Sequence, residues 1–134
     1  MQLFENMLRS GGHSVTAARL GLFKKLRAKH TIGIKDLIKS LPKQDQASVY
    51  RNIKLFEDLG VAHRIQLGWQ SRLELSDLFQ QHHHHLVCNN CGRVLDLHND
   101  LPIELGIAEV ASQQGFTPLS HQLEIRGLCQ FCQS

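Results

Sequence analysis

The sequence predicts an α+β protein made of two unlike halves, and three observations carry that prediction. Apolar residues recur at helical spacing through residues 3–59, then alternate on either side of Gly68-Trp69. Four cysteines stand in two CxxC pairs, Cys88/Cys91 and Cys129/Cys132, around a stretch that reads strand, helix, strand. Charge also divides along the chain. Residues 1–75 hold 13 Lys and Arg against 6 Asp and Glu, a balance of +7, whereas residues 76–134 hold 2 against 6, a balance of −4. The expected boundary separates residues 1–76 from residues 77–134.

The basic half opens with a helix carrying Leu3, Phe4, Met7 and Leu8 on one side, ended by Gly11-Gly12. Thr16 is placed to cap a second helix, with Ala18, Leu22, Phe23 and Leu26 inward and Arg19, Lys24, Lys25 and Arg27 elsewhere on its surface. A short third helix repeats through Ile34, Leu37, Ile38 and Leu41 and is stopped by Pro42. Asp45 or Gln46 opens a fourth, whose inner stripe is Val49, Ile53, Phe56 and Leu59, with Gly60 just past its end. The outer face of this helix offers Ser48, Arg51 and Lys54, with Tyr50 on the flank. Val61–Leu67 and Gln70–Ser76 then read as a hairpin.

Short helix, turn, polar-faced helix and hairpin follow one another in the order of a winged helix-turn-helix. In that motif the second helix enters the major groove of DNA. The alternative is a helical bundle whose basic residues form a solvated face. Confinement of the positive charge to this half favours the DNA reading.

Length and composition bound the rest. At 134 residues, 42% hydrophobic and 20% charged, the chain is a folded protein of one domain or two small ones. No run approaches the roughly 18 apolar residues that span a bilayer. The opening MQLFENMLRSGG lacks the basic-then-apolar order of a secretory signal, so a cytoplasmic protein without a membrane partner is expected. In that compartment four cysteines point to metal or redox chemistry rather than a disulfide framework.

The acidic half is built around ligands. Each CxxC can present two thiolates from one tight turn, and two such turns close a tetrahedral site of the structural zinc type. Two disulfides or a dithiol redox pair are the alternatives. The 37 residues between the pairs (92–128) read as a strand over Arg93–Leu97, a helix capped by Asp100 and running to Gly115, and a strand over His121–Arg126. His82, His83, His84 and His85 stand just before the first pair. If this segment is a strand, His83 and His85 point to one face and His82 and His84 to the other, so two neighbouring metal sites are possible. Oxygen donors nearby are Glu74, Asp77, Asp96, Asp100 and Glu104, with His98 and His121 also available. Mixed imidazole and carboxylate sets suit Zn2+, Fe2+, Mn2+, Co2+ or Ni2+. Alone on its strand face beside Leu123 and Ile125, His121 would more often be a buried, hydrogen-bonded histidine.

With QQHHHHLVCNNCGRVLDL, SHQLEIRGLCQFC, TAAR and ASVYRNIKLFEDLGVAHRI, the chain resembles the ferric uptake regulator (Fur) family of bacterial metal-dependent repressors, from about Leu8 to Cys132. The resemblance implies an N-terminal winged-helix DNA-binding domain and a C-terminal α/β dimerisation domain. It further implies a homodimer that binds palindromic, A·T-rich operators when loaded with metal. By position, Cys88, Cys91, Cys129 and Cys132 match a structural Zn2+ site. His30, Glu74, His83, His85 and Asp96 match a regulatory site, with Asp77 the alternative to Glu74. His82, His84, Glu104 and His121 match an additional site. Arg19, Ser48, Tyr50, Arg51 and Lys54 are the DNA-contacting candidates.

Some positions depart from the family's pattern. Ser14 replaces a basic residue that reaches the minor groove in relatives, and His84 stands where relatives often have aspartate. The zinc-sensing branch uses a further cysteine, absent from this sequence. Glu74 with Asp96 places an Fe2+ sensor ahead of a peroxide- or manganese-responsive member, with Mn2+ or Zn2+ as the other ions for the regulatory site. Two readings come from another class. One is a small non-haem metalloenzyme using His83, His85 and a carboxylate; the other is a metal-storage protein. Neither explains the basic helical half, and no nucleophile–base pair or phosphate-cradling glycine loop is evident.

Overall fold

Caps and apolar spacing set the first elements. In the computed structural model, which describes residues 1–97 and 101–133, α1 (Gln2–Ser10) buries Phe4 and Leu8. α2 (Ala17–Lys29) starts where the Thr16 side chain accepts the Arg19 amide, and it buries Leu22, Phe23 and Leu26. α3 (Ile34–Lys39) buries Ile34 and Leu37, and α4 (Gln46–Asp58) buries Val49, Ile53 and Phe56. Gly60, at φ 72°, takes the left-handed position that closes α4. The stripes converge on an aromatic centre. Phe4 stacks on Phe23 at 4.2 Å, and Phe56 and Phe79 meet that pair edge-on at 5.2 and 5.1 Å.

The hairpin forms as β2 (Ala62–Leu67) and β3 (Gln70–Leu75), and its sheet has the order β1-β3-β2. The strand β1 (Thr31–Gly33) is a finding that the sequence reading lacks, since three residues are too few to show alternation. It runs antiparallel to β3, with Thr31 opposite Glu74 and Gly33 opposite Arg72. The Arg72 guanidinium donates to the Thr31 carbonyl at 3.1 Å, tying the pair together. Two helices of the helix-turn-helix, an antiparallel sheet and its wing make this part a winged helix.

The second sheet has the order β5-β4-β6, from β4 (His84–Cys88), β5 (Val94–Leu97) and β6 (Glu124–Gly127). β4 is central. Its pairing with β5 is antiparallel, with His85 opposite Asp96, and its pairing with β6 is parallel, with His85 opposite Glu124. The last strand therefore begins three residues later than the expected His121, and His121 stands in the connection ahead of it. α5 (Leu101–Gln113) crosses between β5 and β6. The expected Asp100 cap and the His98 donor lie outside the described residues. Among those described, no helix is long and apolar enough to cross a membrane.

The chain divides into two compact units. The first comprises Met1–Gln66 and Gln70–Gln81, and the second comprises Leu67–Trp69 and His82–Ser134. Within the second, the Gly68 amide donates to Glu124 Oε1 at 3.2 Å.

The cap of α4 yields a pH prediction. Asp45 accepts the Ser48 amide at 2.9 Å and the Ser48 hydroxyl at 2.7 Å. The hydroxyl first, then the amide and the charge of Arg51, hold the Asp45 carboxyl below its ordinary value of 3.8. A carboxyl depressed by folding stabilises above its unfolded value and loses that contribution as pH falls through its folded value. Asp45→Ala is therefore expected to be less stable than the parent at neutral pH, with the difference shrinking as pH falls below 3.8. Urea melts across that range check it; a gap independent of pH would contradict the assignment.

Candidate metal centres and nucleic-acid interface

The two CxxC turns meet. Cys88, Cys91, Cys129 and Cys132 bring their sulfurs within 4.8 Å of one another, and all four are free thiols rather than disulfides. Cys91 Sγ and Cys129 Sγ are 3.8 Å apart. Tetrahedral zinc with Zn–S bonds of about 2.3 Å requires sulfurs roughly 3.8 Å apart, so the donors fit that ion. Backbone amides support the site. Those of Cys129 and Cys91 point at Cys88 Sγ from 3.4 and 3.5 Å and bring its thiol down to about 6. At Cys132 the Asn90 amide, 3.3 Å away, favours the thiolate, yet the neighbouring Cys129 thiol and burial push the group up to about 11. Arg93 lies over the Phe131 ring at 4.9 Å, packing one CxxC turn across the other.

The histidine run splits as the pleat requires. His82, His84, Glu104 and His121 form a second cluster, with one donor atom from each within 4.8 Å. Glu104 Oε1 accepts from His84 and from His121, the latter at 3.1 Å, and His82 Nε2 lies 3.4 Å from the same oxygen. Burial works to raise the Glu104 pKa. The hydrogen bonds from His84 and His121, with the charges of His121 and His82, outweigh it and hold the carboxyl below 4.5. His84 is 1% exposed, so its imidazole is a core group. His121 joins this cluster from a connecting segment, not from a strand face shared with Leu123 and Ile125.

On the opposite side, the rings of His83 and His85 lie 4.7 Å apart, both buried, and His85 Nδ1 stands 3.0 Å from Asp96 Oδ1. The register explains this contact, because Asp96 is the cross-strand partner of His85. His30 and Glu74 belong to the first unit. Glu74 is buried on β3, whereas Asp77 is exposed beyond the strand. His30 ends α2 with φ 57° and ψ −61°, the one non-glycine residue with positive φ among those described.

The outer face of α4 presents Tyr50, Arg51 and Lys54 to solvent. Ser48 is half-buried, and its hydroxyl accepts from Arg51 at 3.0 Å. Lys54 lies 3.4 Å from Asp58 one turn along. Arg19 is turned inward relative to these, donating to Ser14 O at 2.6 Å and to Asn52 Oδ1 at 3.2 Å. It ties the start of α2 to α4 and so orients the exposed helix.

Sequence reasoning passed over His63, whose Nε2 lies 2.9 Å from Glu74 Oε1. The signal was present: counting outward from a two-residue turn at Gly68-Trp69 sets His63 opposite Glu74.

A winged helix, a thiol cluster and imidazole–carboxylate clusters in one chain are the parts expected of a metal-responsive DNA-binding regulator. Comparison with known proteins gives the family. Residues 10–126 match the model of the Ferric uptake regulator family. The chain is 36% identical to a ferric uptake regulation protein of Klebsiella pneumoniae, over 91% of this chain and 81% of that one. It is 31% identical to the peroxide-responsive repressor PerR of Staphylococcus saprophyticus, over 94% and 86%. The crystal structure of the Vibrio cholerae ferric uptake regulator superposes with a TM-score of 0.74 at 31% identity, covering 93% of this chain and 98% of that one. The chain belongs to the ferric uptake regulator family.

The backbone of His30 generates a prediction. A side chain at positive φ costs on the order of 1–3 kcal/mol, which glycine avoids. In chelator-treated protein, His30→Gly is expected to be about 1 kcal/mol more stable than His30→Ala in urea. Equal stabilities would show that the conformation is unstrained.

Proposed function

We propose that the protein is an iron-responsive transcriptional repressor, binding palindromic, A·T-rich operators as a homodimer when its regulatory site is loaded. The observation that carries this reading is His85 held between the His83 ring and the Asp96 carboxylate, on the side of β4 opposite a separate His82/His84/His121/Glu104 cluster. Nitrogen and oxygen donors without a thiolate suit Fe2+ and Mn2+ as well as Zn2+. In this reading His30 and Glu74 complete the regulatory set, and the buried position of Glu74 favours it over Asp77. The four cysteines would hold structural Zn2+, and His82, His84, Glu104 and His121 an additional ion. An ion bound there would supply coordination bonds to these side chains in their deprotonated forms.

In this proposal residues 1–76 bind DNA and lend His30 and Glu74 to the regulatory site, while residues 77–134 supply the remaining metal ligands and dimerise. Tyr50, Arg51, Ser48 and Lys54 lie along α4, as major-groove reading requires. Arg19 supports them through Asn52. Homodimerisation is supported by apolar surface on the second unit that its own core does not use. Leu95, Leu101, Leu105, Val110, Ile125 and Leu128 are each more than 40% exposed. The similarity to a peroxide-responsive repressor supports a second reading, in which peroxide treatment of the iron-loaded protein releases DNA.

The test is operator affinity. Allosteric coupling typically amounts to about 1–3 kcal/mol, so Mn2+ or Fe2+ is expected to tighten binding roughly 5–150-fold over chelator-treated protein. His85→Ala is expected to lose that gain. Metal-independent, parent-strength binding by His85→Ala and by His30→Ala would remove the proposal.

A further inference from the structure

We propose that His63 is a positioning residue whose Nε2–H holds the Glu74 carboxylate in place, and that it thereby sets the affinity of the regulatory site. The inference rests on the reading of Glu74 as a regulatory ligand and assigns a role to a residue outside the five ligands. Glu74 is 7% exposed, and a buried carboxylate needs donors that match its charge. The hairpin carries two cations, and both are directed elsewhere. Arg64 Nε donates to Glu57 at 2.9 Å; Arg72 donates to Gln70 at 2.9 Å and to the Thr31 carbonyl at 3.1 Å. His63 faces Glu74 from β2 and meets the carboxylate, with Nε2 2.9 Å from Oε1.

The imidazole must be the donor here, because an ionised carboxylate is an acceptor only. Donation to Oε1 restrains the orientation of the Glu74 carboxylate. The His63 side chain is 40% exposed, so its removal opens no core cavity. Carboxylates that bind metals are themselves hydrogen-bonded, and loss of such partners typically weakens metal affinity about 10–100-fold.

The experiment uses the full chain with zinc retained and measures Mn2+ affinity, taking as the regulatory event the one that Glu74→Ala abolishes. His63→Leu is expected to weaken that event roughly 10–100-fold. His63→Gln keeps an N–H donor near the position of Nε2 and is expected to remain close to the parent. His63→Ser removes the donor without adding apolar bulk, and it gives the same comparison if the leucine variant does not fold. Parent-like Mn2+ binding by His63→Leu or His63→Ser would overturn the positioning role, as would a loss in His63→Gln as large as theirs. Parent-like binding by Glu74→Ala is a separate outcome; it would remove the ligand reading of Glu74, and the role of His63 with it.

Discussion

The pleat of one strand, β4 with the two residues ahead of it, decides where the chemistry of the second unit can go. Only alternate side chains share a side, so consecutive histidines cannot serve a single ion together. His83 faces His85, and His82 faces His84, at ring separations of 4.7 and 4.8 Å. A slip of one residue would exchange the two pairs between their carboxylate partners, sending His85 away from Asp96 and His84 away from Glu104. The strand is held against such a slip from both sides, by the antiparallel ladder to β5 and the parallel ladder to β6. Its last residue, Cys88, is fixed in the thiol cluster. Three donor sets thus depend on one register.

The first unit answers a different requirement, that of presenting an exposed helix rigidly. α4 is anchored from below by Val49, Ile53 and Phe56, all fully buried, and Phe56 meets the Phe4–Phe23 stack. It is anchored at its start by Asp45 and along its side by Arg19 through Asn52. Polar side chains on the outer face consequently spend no packing on holding the helix. They can be exchanged without disturbing the core, and in the DNA-binding reading proposed above that freedom would let one scaffold serve different operators.

The helices were legible in the sequence because their stripes, caps and stops agree. Thr16, Asp45, Pro42 and Gly60 each mark a boundary close to the observed one. The thiol cluster and the division of the histidine run were legible for a similar reason, since CxxC spacing and strand period leave little freedom. What escaped is non-local. β1 exists because Arg72 and β3 recruit three residues, and nothing within Thr31–Gly33 announces that. The start of β6 moved because His121 is drawn to Glu104 and His82 before the ladder with β4 begins. His63 was overlooked as an isolated histidine; its meaning lies in a cross-strand partner eleven positions away.

α5 shows what a single protomer leaves unfinished. It is rich in apolar residues, yet among the described residues none of its side chains is buried. Its attachment to its own unit includes a polar anchor, Glu104, held by His84, His121 and His82. The apolar contribution comes from Ile103, Ile107 and Ala111, which are half-buried, so the imidazole–carboxylate cluster adds to a modest hydrophobic contact in holding the helix. Leu101, Leu105 and Val110, each about 60% exposed, are the surface through which apolar burial can still be added. Coverage of that surface by a second copy and ligation at Glu104 would therefore act on the same helix, each ordering what the other needs ordered.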